Sequence, residues 1–339
     1  MTEQANRRKP EKVLLFYNPK AGSGLFKNNL DKIIARFQTI KQIVVPIRAG
    51  DDIVLDEFLE TVQDDNYVKI VVSGGDGTVN RVVNAMVRTG CELPLAILPA
   101  GTANGFAHAF NIPPADIDKM LDIAVGDNYA TADVGLCNGS YFVNSVAIGA
   151  VIDASQKTTT VTKYALGIFA YYIKALSELH NLRALDVTIT TPDRVMRENI
   201  FFMVVLNGKS AAGLRRLGTH SDISDGLLDV IIFKEMKVSE VPVMALGVIQ
   251  GKHIDNENVI YFQTPRLKIE SCMPLGTDID GELGHPLPLE IESVPGRLTV
   301  NVRPASEPEE IGLSRRIPGL PGQEKKPWFG LKPRMNMKD

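Results

Sequence analysis

The sequence predicts a fold in two parts, an α/β first half and a mainly antiparallel β second half. Up to about residue 128, short apolar runs alternate with amphipathic stretches, a pattern typical of a mostly parallel sheet covered by helices on both faces. Beyond that point strand follows strand with few helices between them, which indicates an antiparallel sandwich or barrel. A length of 339 residues fits about two domains of ordinary size.

The first half contains four short apolar runs, each with the length and composition of a buried strand. They are Val13–Tyr17, Ile43–Ile47, Val68–Val72 and Leu95–Leu98. Apolar residues with helical spacing follow the first three runs, within Leu25–Phe37, within Asp52–Gln63 and from Val79 to Val87. A short helix ending near Phe110 follows the fourth run and completes the alternation.

The second half contains a series of predicted strands. They are Tyr141–Ala147, Leu185–Thr190, Ile200–Leu206, Leu228–Phe233, Asn258–Phe262, Leu267–Glu270, Pro288–Ile291 and Leu298–Val302. Two predicted helices interrupt them, Thr162–Leu179 and Val238–Gln250. The end segments 1–11 and 305–339 lack apolar periodicity, and the second is rich in Pro and Gly, so both are predicted to be disordered tails.

Three loops rich in Gly, Asn or Thr lie where predicted strands end, at residues 18–24, 73–77 and 100–105. Ligands of such sheets bind outside the carboxyl ends of the strands, so the three loops are predicted to converge on one ligand. The turn Gly74–Thr78 begins a helix, whose first N–H groups bind anions. Asp76 has the wrong charge for a bare phosphate site, which favours a magnesium–nucleotide site. The alternative for this stretch is a plain glycine turn.

Composition excludes several classes of protein. A net charge of −3 and 23% charged residues give no indication of nucleic-acid binding. The three cysteines are far apart and have neither a disulfide pattern nor metal-ligand spacing, which fits a reducing cytoplasm. The polar N-terminus does not resemble a secretory signal, and no apolar run approaches the roughly 20 residues that span a bilayer.

Two acidic clusters lie in the second half. Asp222 and Asp225, three residues apart before a strand, are able to donate carboxylate oxygens to Mg²⁺ together with a backbone carbonyl. The alternative is an Asx-turn that opens the strand. Asp280 and Gly281 have the composition of a hairpin turn between two strands, which needs no further explanation.

Six motifs, taken together, resemble a known family. They are NPKAGSG (18–24), GGDGT (74–78), LPAGTANGFA (98–107), FVNSVAIGAVIDA (142–154), DGLLDV (225–230) and DGE (280–282). Their order and approximate spacing resemble the diacylglycerol kinase catalytic domain, over about residues 12–303. The resemblance implies a Rossmann-like nucleotide domain, 12–135, a lipid-kinase β-sandwich domain, 136–304, and an active site in the cleft between them. The resemblance also implies that the protein uses ATP and Mg²⁺ and that its acceptor is a lipid.

The resemblance also assigns roles to single residues. The implied nucleotide contacts are Asn18, Gly74, Gly75, Asp76, Gly77, Thr78, Gly101, Thr102 and Asn104. It implies Asp222, Asp225 and the carbonyl of Leu227 as a structural magnesium site. Asp280 matches the candidate general base, and Glu282 its neighbour near the metal or nucleotide. Asp153 matches a residue that faces the lipid head group in some members.

Two of these roles have alternatives. A carboxylate near the acceptor hydroxyl takes its proton in such chemistry, and the sequence leaves open whether Asp280 or Asp76 is that base. Lys20 is a candidate cation for the phosphates, with a solvent-exposed loop lysine as the alternative.

Two positions depart from the family pattern. Many relatives have Asn-Asp where this chain has Asn104-Gly105, and many have Asn-Glu where it has Asn80-Arg81. The basic Arg81 either strengthens nucleotide contacts or indicates another substrate or weak activity. The rivals to a lipid kinase are therefore a soluble-substrate kinase of the NAD-kinase type and a non-catalytic lipid- or nucleotide-binding relative.

The predicted location is the cytoplasm, with peripheral association at a membrane surface. Basic residues of the C-terminal segment surround Trp328 and Phe329, a mixture that suits an anionic lipid surface, with a solvated tail as the alternative. The predicted partners are ATP and a lipid, without nucleic acid. The oligomeric state stays open, with a homodimer among the alternatives.

Overall fold

The structure is a computed structural model that describes residues 9–22, 25–50, 54–62, 65–114, 116–149, 184–209, 214, 217–273 and 276–304. Asp153, the predicted helix Thr162–Leu179 and the segment 305–339 lie outside the described residues. So do residues 1–8 of the predicted N-terminal tail, whose last residue, Glu11, opens the first strand.

The first half is α/β, as predicted. Its elements are β1 (Glu11–Tyr17), α1 (Leu25–Thr39), β2 (Gln42–Arg48), α2 (Leu55–Val62), β3 (Tyr67–Gly74), α3 (Asp76–Thr89), β4 (Leu95–Pro99), α4 (Gly105–Ala109) and α5 (Ile117–Val125). The four strands pair in parallel in the order β2-β1-β3-β4. Strands β3 and β4 are almost wholly buried, because helices and sheet share one apolar core that includes Val71, Val82 and Ile97. Their carboxyl ends therefore lie along one edge of the sheet.

The second half is β-rich and antiparallel, as predicted. Its elements are β5 (Tyr129–Cys137), β6 (Ser140–Phe142), β7 (Ser145–Gly149), β8 (Leu185–Thr190), β9 (Val195–Leu206), β10 (Leu228–Lys234), α6 (Val241–Gln250), β11 (Val259–Thr264), β12 (Arg266–Glu270), β13 (Thr277–Ile279), β14 (Glu282–Leu283) and β15 (Leu289–Asn301). Short 3₁₀ turns precede and follow α6. Within this half the strands pair antiparallel around a second core that includes Val146, Val205 and Ile269.

Three strand predictions were wrong in detail. The runs at 288–291 and 298–302 belong to the single strand β15, whose register shifts between Val294 and Leu298, so Pro295 and Gly296 form a bulge rather than a turn between strands. The run Tyr141–Ala147 is two strands, β6 and β7. Strand β5 was not predicted, because Gly135 and Asp133 interrupt its apolar pattern.

Strand β15 connects the two halves. It pairs antiparallel with β5 from Ile291 to Asn301, on both sides of the bulge, and Val300 also pairs in parallel with Leu95 of β4. The chain thus returns to the first sheet, and one path of hydrogen-bonded strands runs through both halves. The division at residues 135 and 136 stays a prediction. Within the described residues, no helix combines the length and apolarity needed to cross a bilayer.

A buried lysine holds the end of α5. Lys69 on β3 is 3% exposed, and its Nζ donates to the carbonyl oxygens of Ala124, at 2.7 Å, and Gly126, at 3.2 Å. These carbonyls have no partner within the helix, so the ammonium completes the C-terminal turn. Burial lowers the pKa of Lys69 to about 8, against a smaller opposing effect of Asp127.

We expect Lys69→Met to lower the free energy of unfolding at pH 7 by about 1–3 kcal/mol, because the substitution removes the donor to the Ala124 carbonyl. The carbonyl of Gly126 keeps a second donor, Asn301 Nδ2, at 2.8 Å. The unfolded chain binds the Lys69 proton more tightly than the folded chain, so wild-type stability should gain from this group as pH rises from about 8 to 10.5. The variant lacks that gain. Urea denaturation at several pH values measures both effects, with the exposed Lys27→Met as control.

Candidate active site

The three glycine-rich loops meet at the carboxyl edge of the first sheet. The backbone N–H of Asn18 donates to the carbonyl of Ser73 at 2.9 Å, and its side-chain Nδ2 lies 3.4 Å from Thr78 Oγ1. The N–H of Ala100 donates to the carbonyl of Gly74 at 2.8 Å. Each loop is therefore hydrogen-bonded to at least one other, so the three loops meet. That they bind one ligand stays a prediction.

Glycine residues allow the backbones of neighbouring loops to touch directly. A Cβ atom at Gly101 would lie 2.5 Å from the Cα of Gly75, and a Cβ atom at Gly22 would lie 2.5 Å from the carbonyl oxygen of Ala100. Gly22 also has φ +60°, which favours glycine. Because no side chain fits between the loops, main-chain groups line the junction, as an anion site requires.

Helix α3 starts at this junction. Its N-cap residue is Gly75, which has no side chain to cap the first turn. Helix α5 differs, because there the carboxylate of Asp116 accepts hydrogen bonds from two first-turn N–H groups. Gly77 in the first turn of α3 is exposed to solvent. The fourteen-residue helix thus directs the positive end of its dipole at the place where the loops meet.

Asp76 links the second loop to the third. Its carboxylate accepts hydrogen bonds from the backbone N–H groups of Asn104, Gly105 and Phe106, at the start of α4. Asn144 of the second half lies 3.5 Å away through its Nδ2. Burial nevertheless raises the pKa of Asp76, and these hydrogen bonds only partly oppose that effect. The carboxylate is a partly buried cap of α4 in this arrangement.

Asn104, a predicted nucleotide contact, closes its own loop through its side chain. Its Oδ1 accepts from the N–H of Gly101 and its Nδ2 donates to the carbonyl of the same residue, both at 2.8 Å. The side chain is 5% exposed, and φ is +50°. Thr102 and Lys20, by contrast, are exposed at the junction loops. The N–H of Lys20 donates to Asn18 Oδ1 at 2.9 Å, which shapes the first loop.

Asp280 lies in the two-residue turn between β13 and β14. Asp280 and Gly281 both have positive φ, and Ile279 pairs with Glu282, as in a tight hairpin. The predicted hairpin is therefore present, and it also brings a carboxylate to the junction. Glu282 is exposed, and its Oε1 lies 3.8 Å from a Cβ position built on Gly77.

Four donors surround the carboxylate of Asp280. The backbone N–H groups of Val143, Asn144 and Ser145 donate at 2.8, 2.9 and 2.8 Å, and Asn80 Nδ2 donates at 2.7 Å. A carboxylate has about four lone-pair positions, so these donors occupy its acceptor capacity. Burial raises the pKa of Asp280 to about 6, although all four hydrogen bonds favour the ionised form.

Asparagines join the two carboxylates. Asn144 donates its N–H to Asp280 and places its Nδ2 near Asp76, while Asn80 reaches Asp280 from α3, the helix that Asp76 begins. Asn84 on the same helix donates to and accepts from the backbone of Tyr141. Asp76 and Asp280 thus share one network across the two halves. Sequence reasoning gave no role to these asparagines, although Asn144 lies inside the quoted motif FVNSVAIGAVIDA.

The acidic turn before β10 contains the predicted magnesium ligands. Asp222 Oδ1 accepts from the N–H and the hydroxyl of Ser224, and Asp225 Oδ1 accepts from the N–H of Leu227 at 2.9 Å. Both aspartates therefore form Asx-turns, which was the alternative to a metal site. Burial, with the negative charges of Asp222 and Asp133, raises the pKa of Asp225. Within the described residues, no group of three His, Cys, Asp or Glu side chains is placed to hold a metal ion.

These residues nevertheless suit a hard cation. All the predicted donors are oxygens, two carboxylates and a main-chain carbonyl, which Mg²⁺ prefers. Neighbouring negative charges help to raise the pKa of Asp225, and a bound cation would act in the opposite direction. The carboxylate of Asp133 is held by the N–H groups of Gly226 and Gly296, both at 2.7 Å, which fixes the turn against the bulge of β15.

The two departures from the family pattern lie at different places. Arg81 donates through Nη1 to the carbonyl of Gly50 at 2.9 Å, and its guanidinium carbon lies 5.8 Å from the ring centre of Phe16. Its side chain is thus directed at the loop after β2. Gly105 lies at the start of α4, where its N–H donates to Asp76.

A separate cavity of about 450 Å³ lies on the β-rich half, away from this junction. Thr190, Lys268 and Glu290 contribute to its lining, and none of the predicted site residues that the structure describes does. Its lining mixes positive side chains, such as Lys268, with negative ones, such as Glu290, and contains no described residue of the three glycine-rich loops. We therefore place the candidate site at the loop junction and not in this cavity.

Comparison with known families agrees with this geometry. Residues 12–137 match the model of the diacylglycerol kinase catalytic domain, and residues 144–302 match the YegS C-terminal NAD kinase beta sandwich-like domain. Each half of the chain therefore matches a domain that is found in kinases.

Relatives and solved structures give the family. The chain is 29% identical over 304 residues to a diacylglycerol kinase of Bacillus subtilis (strain 168), covering 89% of this chain and 99% of that protein. It is 31% identical over 285 residues to one of Staphylococcus aureus (strain Newman), covering 82% and 88%. A proposed diacylglycerol kinase of Bacillus anthracis str. Sterne has a similar crystal structure, with a TM-score of 0.75, 27% identity and coverage of 90% and 99%. The chain belongs to the bacterial diacylglycerol kinase family.

Proposed function

We propose that this chain is an ATP- and Mg²⁺-dependent lipid kinase, which transfers the γ-phosphate to a hydroxyl of diacylglycerol or a similar lipid. The observation that carries the proposal is the single network at the loop junction, in which Asn144 contacts both Asp76 and Asp280. Family membership supports the reaction class, because relatives over nearly the whole chain are named diacylglycerol kinases.

The nucleotide phosphates are proposed to bind at the loop junction. Phosphoryl transfer asks a protein mainly to position the reactants and to neutralise charge. The start of α3, with glycine at its N-cap, and the exposed residues Gly77, Thr102 and Lys20 suit the phosphates. Asn18, Gly75, Gly101 and Asn104 act by holding the loops in place.

Asp222, Asp225 and the carbonyl of Leu227 are the residues proposed to hold a structural Mg²⁺. When bound, the ion supplies positive charge to a turn where carboxylates crowd one another. The chain's own contribution is the shape of that turn, which the hydrogen bonds of Asp222, Asp225 and Asp133 fix.

Asp280 is proposed as the general base. With a pKa near 6 its carboxylate is ionised at neutral pH, and a pKa near the operating pH suits proton transfer. Accepting a proton requires that at least one of its four donors moves away, and Asn80, the only side chain among the four, is the proposed one. Asp76 is the alternative base, with three backbone donors and Asn144 around it.

The acceptor is proposed to be a membrane lipid, phosphorylated at the cytoplasmic membrane surface by a peripherally bound enzyme. Asp153 of the IDA sequence is the proposed residue on the acceptor side. Glu282, near the first turn of α3, is proposed to lie beside the nucleotide or its metal ion. Binding of nucleic acid is not part of the proposal, since the chain carries a net charge of −3.

Purified protein with labelled MgATP and a panel of acceptors tests this function. We expect labelled product with diacylglycerol, a sphingoid base or phosphatidylglycerol, and none when a chelator removes Mg²⁺. Labelled product from NAD without any lipid would favour the soluble-substrate kinase. Binding of ATP with no transfer to any acceptor would favour the non-catalytic relative.

A further inference from the structure

Helix α6 exposes an apolar face. None of its ten residues, VPVMALGVIQ, carries a charge. Val243, Leu246 and Ile249 are 68%, 54% and 62% exposed, and their spacing of three residues places them along one side of the helix. Exposed side chains of this size usually alternate with charged ones on a surface helix. An uncharged face of this kind indicates a surface that is covered when the protein works.

The opposite face of α6 is anchored. Met244 and Val248 are buried in a cluster that includes Ala147 of β7, Val204 of β9 and Phe233 of β10. The helix therefore lies flat on the β7–β9–β10 face of the sheet. Its exposed side chains cannot turn inward without breaking that packing.

The same sheet face continues to the hairpin that carries Asp280. Leu283 pairs with Asp278, Asp278 pairs with Ala147, and Ala147 pairs with Val204. Directly paired residues of adjacent strands point to the same side of a sheet, so Leu283 faces the side that α6 covers. Leu283 is 76% exposed and, at about 4.8 Å per strand, lies roughly 10 Å from Ala147.

We propose that Val243, Leu246, Ile249 and Leu283 form an apolar platform that rests in the surface of a lipid bilayer. The proposal rests on the proposed function, because a bilayer-resident acceptor must reach Asp280, three residues from Leu283. An apolar helix face that lies in the interface plane is a known mode of membrane attachment. The platform gives the catalytic hairpin a fixed height above the bilayer.

A second copy of the chain is a poorer fit to the platform. Four side chains present on the order of 400 Å² of apolar surface, about half of the ~800 Å² that each partner buries in a standard interface. A bilayer needs no complementary shape and accommodates a patch of this size.

Charge near α6 indicates how the platform binds. Lys237 and Lys252 are exposed at its two ends, but Glu235, Asp255 and Glu257 are exposed nearby as well. Among the described side chains around α6 the charge is balanced or slightly negative, so the apolar face and not attraction to anionic lipid is the proposed driving force. We therefore expect the protein to bind uncharged vesicles. Binding through a basic tail would instead require anionic lipid.

Sedimentation of the full chain with phosphatidylcholine vesicles, with and without phosphatidylglycerol, tests the platform. We expect the wild type to bind both, and Leu246→Asp with Ile249→Asp to weaken binding at least about ten-fold on both. Val195→Asp is the matched control, since Val195 is 66% exposed on β9 outside the platform. Leu246→Ser replaces the aspartate variant if circular dichroism shows that the latter unfolds.

Three results would overturn the proposal. They are wild-type binding by the double variant, binding only to anionic vesicles, and a wild-type dimer that the double variant converts to a monomer. Kinase activity is measured separately on detergent-dispersed lipid, where we expect the double variant to match the wild type. The two proposals can fail separately. If the wild type has no kinase activity but binds vesicles, and the double variant does not bind them, the proposed function is refuted and the platform is supported.

Discussion

Asparagine in place of Asp280 is expected to lower the rate of phosphoryl transfer by about 10²–10⁴-fold, the usual contribution of a general base. The substitution removes the negative charge that would accept the proton. It also places an amide NH₂ among the groups that now donate to the carboxylate, namely Asn80 Nδ2 and the N–H groups of residues 143–145. Both effects act on the catalytic step more than on nucleotide binding.

The pH profile tests whether the charge of Asp280 is responsible. Because burial raises the pKa of Asp280 to about 6, wild-type kcat/KM should fall as pH drops below 6, and Asp280→Asn should lack this acid limb. The free energy of unfolding should depend on the same group, but with the opposite trend in pH. The folded chain binds this proton more tightly than the unfolded chain, so the stability that Asp280 contributes is present below about pH 4. Up to about 3 kcal/mol of it is lost as pH rises through 6.

Asp278→Asn is the matched control for this experiment. Asp278 belongs to the same hairpin and accepts the N–H of Gly281 through Oδ1, a bond that asparagine retains. We expect its activity to stay within a few-fold of the wild type. Activity of Asp280→Asn close to that of the wild type, with an unchanged acid limb, would transfer the base role to Asp76.

Local patterns account for the parts of the fold that could be predicted. Apolar runs and helical spacing indicate β1, α1, β3 and α3 directly, because each element buries a face within its own stretch of sequence. The convergence of the loops followed from topology, since parallel strands end at one edge of the sheet. Strand β5 was missed because Asp133 is buried there for its hydrogen bonds to distant loops, which local sequence does not reveal.

The contacts inside the candidate site could not be predicted in the same way. Asn80 and Asp280 are 200 residues apart in sequence, and Asn144 lies 68 residues from Asp76. No periodicity or turn signal connects residues at such distances. Asn104 shows a second difficulty, because a motif shows that a polar residue is present but not whether it binds a ligand or its own loop.

Replacing Gly101 by alanine is expected to separate the loops. Its Cβ would lie 2.5 Å from the Cα of Gly75 and 2.9 Å from Asn104 Oδ1, and two backbones at that distance cannot both stay in place. We expect the free energy of unfolding to fall by about 1–3 kcal/mol, as for other overpacked positions. If ATP binds at this junction, its affinity should fall at least about ten-fold, or ~1.4 kcal/mol. Urea denaturation and equilibrium titration with ATP measure the two effects.

Two further glycines of the same junction turn this prediction into a graded series. A Cβ at Gly75 would lie 3.2 Å from the Cα of Gly101, a contact that a small shift relieves, and one at Gly77 would lie 3.8 Å from Glu282, an ordinary contact. Destabilisation should therefore decrease from Gly101→Ala to Gly75→Ala. Gly77→Ala, in the first turn of α3, should be neutral or stabilising by up to about 1 kcal/mol. Equal stability of all three variants would show that the loops do not depend on this close approach.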